Sequence, residues 1–199
     1  VVLPPNGPRD LLGLRIGDHL LMVNDCEEME HRRFRQLAEL SRRQSYRFIL
    51  ACDRARRGLL RAALEAIDPE DLYYIPLDIN LKGLAMRTAG WTCWEAHFPY
   101  LKAAGYLDRP VVAFLSHSAP LAEGPNYLER IMQVERVLPL LMKTEAYIAV
   151  CSYLESDETT SPIPLSKDLL LPILKCHTHY LGATISDSLR VLLGAGRRG

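Results

Sequence analysis

Gly13-Leu14-Arg15-Ile16-Gly17-Asp18-His19-Leu20-Leu21-Met22-Val23-Asn24-Asp25 places two turn signals around a short apolar run. Gly17-Asp18 opens the run, because glycine accepts positive φ and aspartate closes local turns. Leu20 to Val23 reads as a strand, and Asn24-Asp25 ends it. Upstream, Pro4-Pro5-Asn6-Gly7-Pro8 is a turn cluster in which proline fixes φ. Downstream, Met29 to Arg42 reads as a helix. Phe34, Leu37, Ala38 and Leu40 form its apolar stripe, and Arg32, Arg33, Arg35 and Glu39 its wet face. Tyr46-Arg47-Phe48-Ile49-Leu50 reads as a second strand.

The run from Val2 to Cys52 resembles the PDZ family from its third strand onward. Gly7-Pro8, Gly13-Leu14, Gly17-Asp18, Leu20 and Val23-Asn24 match its G-L-x-x-G-D-x-[IL]-x-x-V-N signature and preceding turn. Met29, His31 and Leu37 fit the family's second helix, and Tyr46 to Leu50 its last strand. The resemblance implies a protein-interaction module with His31, Arg35 and Ala38 lining a peptide groove. His31 stands where the family often places a histidine that bonds a ligand hydroxyl. Arg35 departs from the apolar residue usual at its position, and a long cation there either weakens an apolar pocket or selects an acidic partner. The family's carboxylate-binding loop and ligand-pairing strand have no counterpart in the match.

Beyond Asp53 the pattern changes. Arg54-Ala55-Arg56-Arg57 is a basic join or helix start, and Gly58 to Ile67 has helical spacing closed by Asp68-Pro69. Tyr73 to Ile79 reads as a strand whose Pro76 suits an edge or bulge. Thr92 to Ala104 reads as a helix with a kink or boundary at Pro99, Val111 to Leu115 as a buried strand, and Tyr127 to Met142 as a helix with a break near Pro139. Ala146 to Tyr153 is a further buried strand, Leu165 to Cys176 and Ile185 to Leu193 are helices, and Glu155 to Pro164 is a loop. Strands and helices alternating at this spacing predict a parallel sheet. The expected architecture is a partial α+β PDZ-like module over 1–53, followed by an α/β domain with a mainly parallel sheet over 54–199.

In α/β sheets, ligands lie beyond the carboxyl ends of strands. Ser116-His117-Ser118, Ser152-Tyr153 with Glu155, and Asp78 with Asn80 hold such positions. A nucleophile needs a nearby base and an orienting group, which makes Cys151, His117 and Asp78 candidates, although spacing alone does not bring them together. Trp91-Thr92-Cys93-Trp94-Glu95 resembles the helix-start motif of TIR domains, some of which cleave NAD, with Cys93 displaced by one residue. That resemblance implies a catalytic role for Glu95. Cys176-His177-Thr178-His179 is the densest group of metal-capable side chains, with Cys151 or His117 as candidates for a further ligand. Ligands at i and i+2 seldom share a helix face, so the expectation is no metal, with the histidines capping helix carbonyls. No cofactor is expected, since neither a phosphate loop nor a dinucleotide fingerprint occurs.

With 24 basic and 24 acidic residues the formal charge is zero. No long-range field draws the chain to nucleic acid, and no basic–aromatic interleaving suggests base readout. No apolar stretch is long enough to span a bilayer. Five scattered cysteines without C-x-x-C spacing suit reduced thiols in a cytoplasmic or organellar compartment. The chain opens at Val1 with no signal-peptide pattern, so a processed or trimmed chain is expected, which leaves room for a removed upstream targeting segment. These observations together favour a non-catalytic scaffold or accessory subunit docking onto other proteins, within a large multi-subunit assembly. The alternative is an α/β enzyme, a hydrolase or TIR-like NAD-cleaving one, that uses the PDZ-like part for targeting.

Overall fold

The computed structural model describes residues 10–76, 91–117, 132, 135, 136, 139, 142–154 and 167–182; the side chains of 91–96, 117 and 167–170 lie outside the description. The elements are β1 (His19–Asn24), α1 (Glu27–Gln44), β2 (Arg47–Cys52), α2 (Arg54–Leu64), β3 (Leu72–Pro76), α3 (Trp91–Ala103), β4 (Val111–His117), β5 (Tyr147–Leu154), α4 (Lys167–Leu174) and β6 (His179–Leu181). Six strands form one sheet in the order β3-β2-β4-β5-β1-β6, and every described pair is parallel. The fold is therefore α/β.

Side-chain alternation explains the layers. Leu20, Met22, Phe48, Leu50, Val112, Phe114, Ile148 and Val150 face one side, where Phe34, Leu37, Leu60 and Ala63 from α1 and α2 cover them. Leu21, Val23, Ile49, Ala51, Ala113, Leu115, Ala149 and Cys151 face the other, covered by Leu101 of α3 and by Ile173 and Leu174 of α4. Strands buried on both faces must read as continuous apolar runs, as these do. Helix α1 carries Glu27, Glu28 and Glu30 in its first turn and Arg42 and Arg43 in its last, each sign opposing the helix dipole. Edge strand β3 ends on Pro76, where a missing N–H breaks no interior ladder.

The Gly17-Asp18 pair launches β1. Gly17 has φ +95°, its N–H donates to the Tyr147 carbonyl at 2.8 Å, and the Asp18 carboxylate accepts from the Arg15 N–H at 2.8 Å. A Cβ at position 17 meets nothing within 4 Å, so any penalty is torsional. Gly17→Ala should lower the unfolding free energy by about 1 kcal/mol in urea titration.

A separate PDZ-like module over 1–53 is not shown. Interior strand β1 lies between β5 and β6, and β2 lies between β3 and β4. A Gly-Asp turn before Leu20–Val23 serves equally well to start an interior parallel strand, and a local signature carries no record of its strand's neighbours. Helix α2 starts at Arg54, so the basic join is helix. Helix α4 stops at Leu174 rather than Cys176, and the three residues of β6 pair with β1. Among the described residues no helix is long and apolar enough to cross a membrane. Ile185 to Leu193, Asp78, Asn80, Ser118 and Glu155 lie outside the described residues, as does most of Tyr127 to Met142.

Candidate functional site

Two buried polar clusters and one open groove stand out. The first cluster lies at the carboxyl edge of the sheet, on the side of α1. Ser116 of β4 and Ser152 of β5 sit directly opposite each other. Glu30, fully buried on α1, accepts from Ser152 Oγ at 2.6 Å and from Ser116 Oγ at 3.3 Å through the same Oε1. Its other oxygen makes an ion pair with Arg56 Nε at 3.3 Å, and Arg56 also reaches Glu27 at 3.0 Å. Asn24 Nδ2 donates to Ser152 Oγ at 3.0 Å, and Arg33 donates to Asn24 Oδ1 at 2.8 Å and to the Val23 carbonyl at 2.7 Å. The network ties the first turns of α1 and α2 to three neighbouring strand ends.

The second cluster lies on the opposite face. His19 opens β1, Cys151 is mid-β5, Glu135 sits in helical backbone between β4 and β5, and His177 lies in the turn before β6. Their ligand-type atoms all lie within 4.8 Å of one another, and all four residues are buried. His19 Nε2 is 3.4 Å from Cys151 Sγ and 3.6 Å from Glu135 Oε2. His177 Nε2 is 3.2 Å from the same carboxylate oxygen, which is 3.4 Å from Cys151 Sγ. The other oxygen, Oε1, accepts from Tyr153 Oη at 2.7 Å. The two imidazoles stack with centroids 3.9 Å apart. His19 Nδ1 lies 2.7 Å from the Cys176 carbonyl, and His177 Nδ1 lies 2.8 Å from that of Ile173. Carbonyls only accept, so both Nδ1 atoms carry the proton.

Burial governs the protonation of this group. It holds His19 down at about 4, against the backbone hydrogen bond to Cys176, and pushes Glu135 up to about 7, against the Tyr153 and Cys151 hydrogen bonds. Burial, then the neighbouring Glu135 charge, raises the Cys151 thiol well above its ordinary value. A thiol held protonated is a poor nucleophile.

The groove runs between α2 and the outer side of β3, with a volume of about 1080 Å³. Leu64, Ile67, Leu72 and Tyr74 contribute apolar surface, and Arg54, Arg57 and Arg61 line it at helical spacing. The Arg57 guanidinium lies 4.3 Å over the Tyr74 ring.

The residues singled out from sequence are distributed as follows. Cys151 and His177 meet in the second cluster; Cys176 supplies it a carbonyl, while its thiol contacts the Pro172 carbonyl at 3.5 Å. His179 turns away to Asp18, at 3.3 Å. The histidine beside Cys151 is His19; His117 ends β4 and Glu95 lies on α3, their side chains outside the description. His31 is half-buried and Arg35 exposed, but Ala38 is fully buried in the core, so the three do not line an open groove. His19, Glu30, Arg56 and Glu135 went unread. Glu30 had a legible signal, since it precedes Phe34, Leu37 and Ser41 by 4, 7 and 11 positions on one helical face. No protein-family model matches the chain, and no curated protein matches it.

Proposed function

We propose that the chain is a non-catalytic accessory domain that docks onto another protein of a larger assembly through the groove between α2 and β3. The chemistry of that groove carries the reading: an apolar floor beside three arginines spaced i, i+3 and i+7 along α2. The complementary occupant is an acidic segment with an apolar anchor. Its side chain would rest on Leu64, Ile67 and Leu72 while its carboxylates meet the arginines. Among the described strands β3 is the last on this side, and an extended segment adding along it is the corresponding backbone mode of capture. The PDZ resemblance of residues 1–53 suggested partner capture at a strand edge; of the two edge strands, β3 and β6, the groove adjoins β3.

A second reading, an α/β enzyme, is favoured by Glu30, Ser116 and Ser152 meeting at the carboxyl edge of the sheet, where doubly wound folds bind ligands. One experiment separates the two. Fluorescent acidic peptides carrying one leucine should bind saturably by anisotropy and weaken at least about tenfold in Arg57→Glu/Arg61→Glu and at high salt. Arg35→Ala should bind them as the parent does. Equal binding of scrambled basic peptides, or none by any acidic one, would overturn the docking reading; ester or NAD turnover lost in Ser152→Ala would then establish the enzymatic one.

A further inference from the structure

We propose that His19, Glu135, Cys151 and His177 bind one divalent transition-metal ion, zinc by preference, as a closed structural centre. The separations already have the right scale. Zinc bonds of about 2.0–2.3 Å in a tetrahedron set ligand atoms about 3.3–3.8 Å apart. Four of the six separations are 3.4, 3.6, 3.2 and 3.4 Å, and all six lie within 4.8 Å. Both imidazoles aim Nε2 inward, with Nδ1–H fixed on a backbone carbonyl, the outer contact that sets the tautomer of a metal-binding histidine. Tyr153 Oη plays the equivalent part for the carboxylate, holding the oxygen that faces away from the cluster.

Charge and donor type select the ion. Two neutral imidazoles, one thiolate and one carboxylate neutralise a divalent cation, so the ion enters a fully buried site without leaving net charge there. Binding displaces the Cys151 thiol proton to solvent and, where Glu135 carries one, its proton too. Nitrogen and sulfur donors suit zinc or cobalt and disfavour magnesium and calcium, which take oxygen shells. Four protein donors fill a tetrahedron and leave no position for water, so the centre is structural rather than catalytic. It would cross-link β1, β5, the helical segment at Glu135 and the turn before β6. The competing arrangement is metal-free, with a carboxylic acid and a thiol hydrogen-bonded to the ring nitrogens.

The full chain should carry one zinc per molecule by elemental mass spectrometry. After chelation, cobalt(II) titration should give the visible absorption of tetrahedral cobalt with a thiolate charge-transfer band, saturating at one equivalent and raising Tm. Cys151→Ser should lose that band, and Cys52→Ser, at a buried thiol elsewhere in the core, should keep it. Tyr153→Phe should keep the band but bind zinc at least about tenfold more weakly. A wild-type chain that retains no zinc and shows no saturable cobalt spectrum overturns the proposal, as does an unchanged spectrum in Cys151→Ser.

Discussion

Glu30→Ala is expected to destabilise the fold by about 3 kcal/mol, among the largest losses any single substitution here should cause. Two terms set the size. Removing the carboxylate leaves the Ser116 and Ser152 hydroxyls without their acceptor under α1, and an unsatisfied buried polar group costs about 1–3 kcal/mol. It also deprives Arg56 of its buried partner, and breaking a buried ion pair costs about 3–5 kcal/mol. Glu27, half-exposed and 3.0 Å from Arg56, remains to pair with it, which keeps the total near the lower value. Glu30→Leu combined with Arg56→Met should recover the ion-pair share of the loss, because an apolar pair of similar volume replaces both charges, while Ser116 and Ser152 still lack their acceptor. Urea unfolding of the two singles and the double closes the cycle. A single-mutant loss below about 1 kcal/mol would mean that the pair is solvated in solution.

The second large effect is Phe34→Ala, at about 3–5 kcal/mol. Phe34 is fully buried, and its ring meets Phe48 and Phe114 edge-on at centroid distances of 5.4 and 4.9 Å. It therefore joins α1 to two neighbouring strands, β2 and β4. Truncation removes both ring contacts and leaves a cavity that a parallel sheet cannot close by moving one strand. With about 2–4 °C per kcal/mol for a chain this size, Tm should fall by about 10 °C. Phe34→Leu should cost less, because it keeps much of the volume. Near-wild-type stability in Phe34→Ala would show that α1 does not rest on this face.

Composition along the strands made the α/β class legible. Leu20–Val23, Val111–Leu115 and Ala146–Tyr153 are apolar on both faces and bounded by turn residues, as interior parallel strands must be. The stripe of α1 was equally clear: the four residues expected in it, Phe34, Leu37, Ala38 and Leu40, are buried, together with Glu30 and Ser41. Neighbour relations were not legible. Nothing in His19–Asn24 says that it pairs with 149–154, because parallel partners share no turn and meet only through distant chain. Strand β6 is too short for alternation to register. The site shows the same limit: Cys151 and His177 each drew notice, but His19 and Glu135 are single polar residues at the edge or within apolar patterns. Such residues become informative only once the fold brings them within a few ångströms of each other.

The place of β1 in the sheet also has a temporal consequence. It is the first of the described strands, yet its two hydrogen-bonding neighbours, β5 and β6, are the last described. As the polypeptide leaves the ribosome at about 5–20 residues per second, Leu20–Val23 must wait several seconds with both backbone edges unpaired. Two described pairs join consecutive strands, β2–β3 and β4–β5, and of these β2–β3 is complete first. The sheet therefore grows from the β2–β3 pair toward β1, whose place between β5 and β6 is filled late. Such non-local closure is slow, and until it happens the nascent chain presents an apolar strand that chaperones are suited to shield.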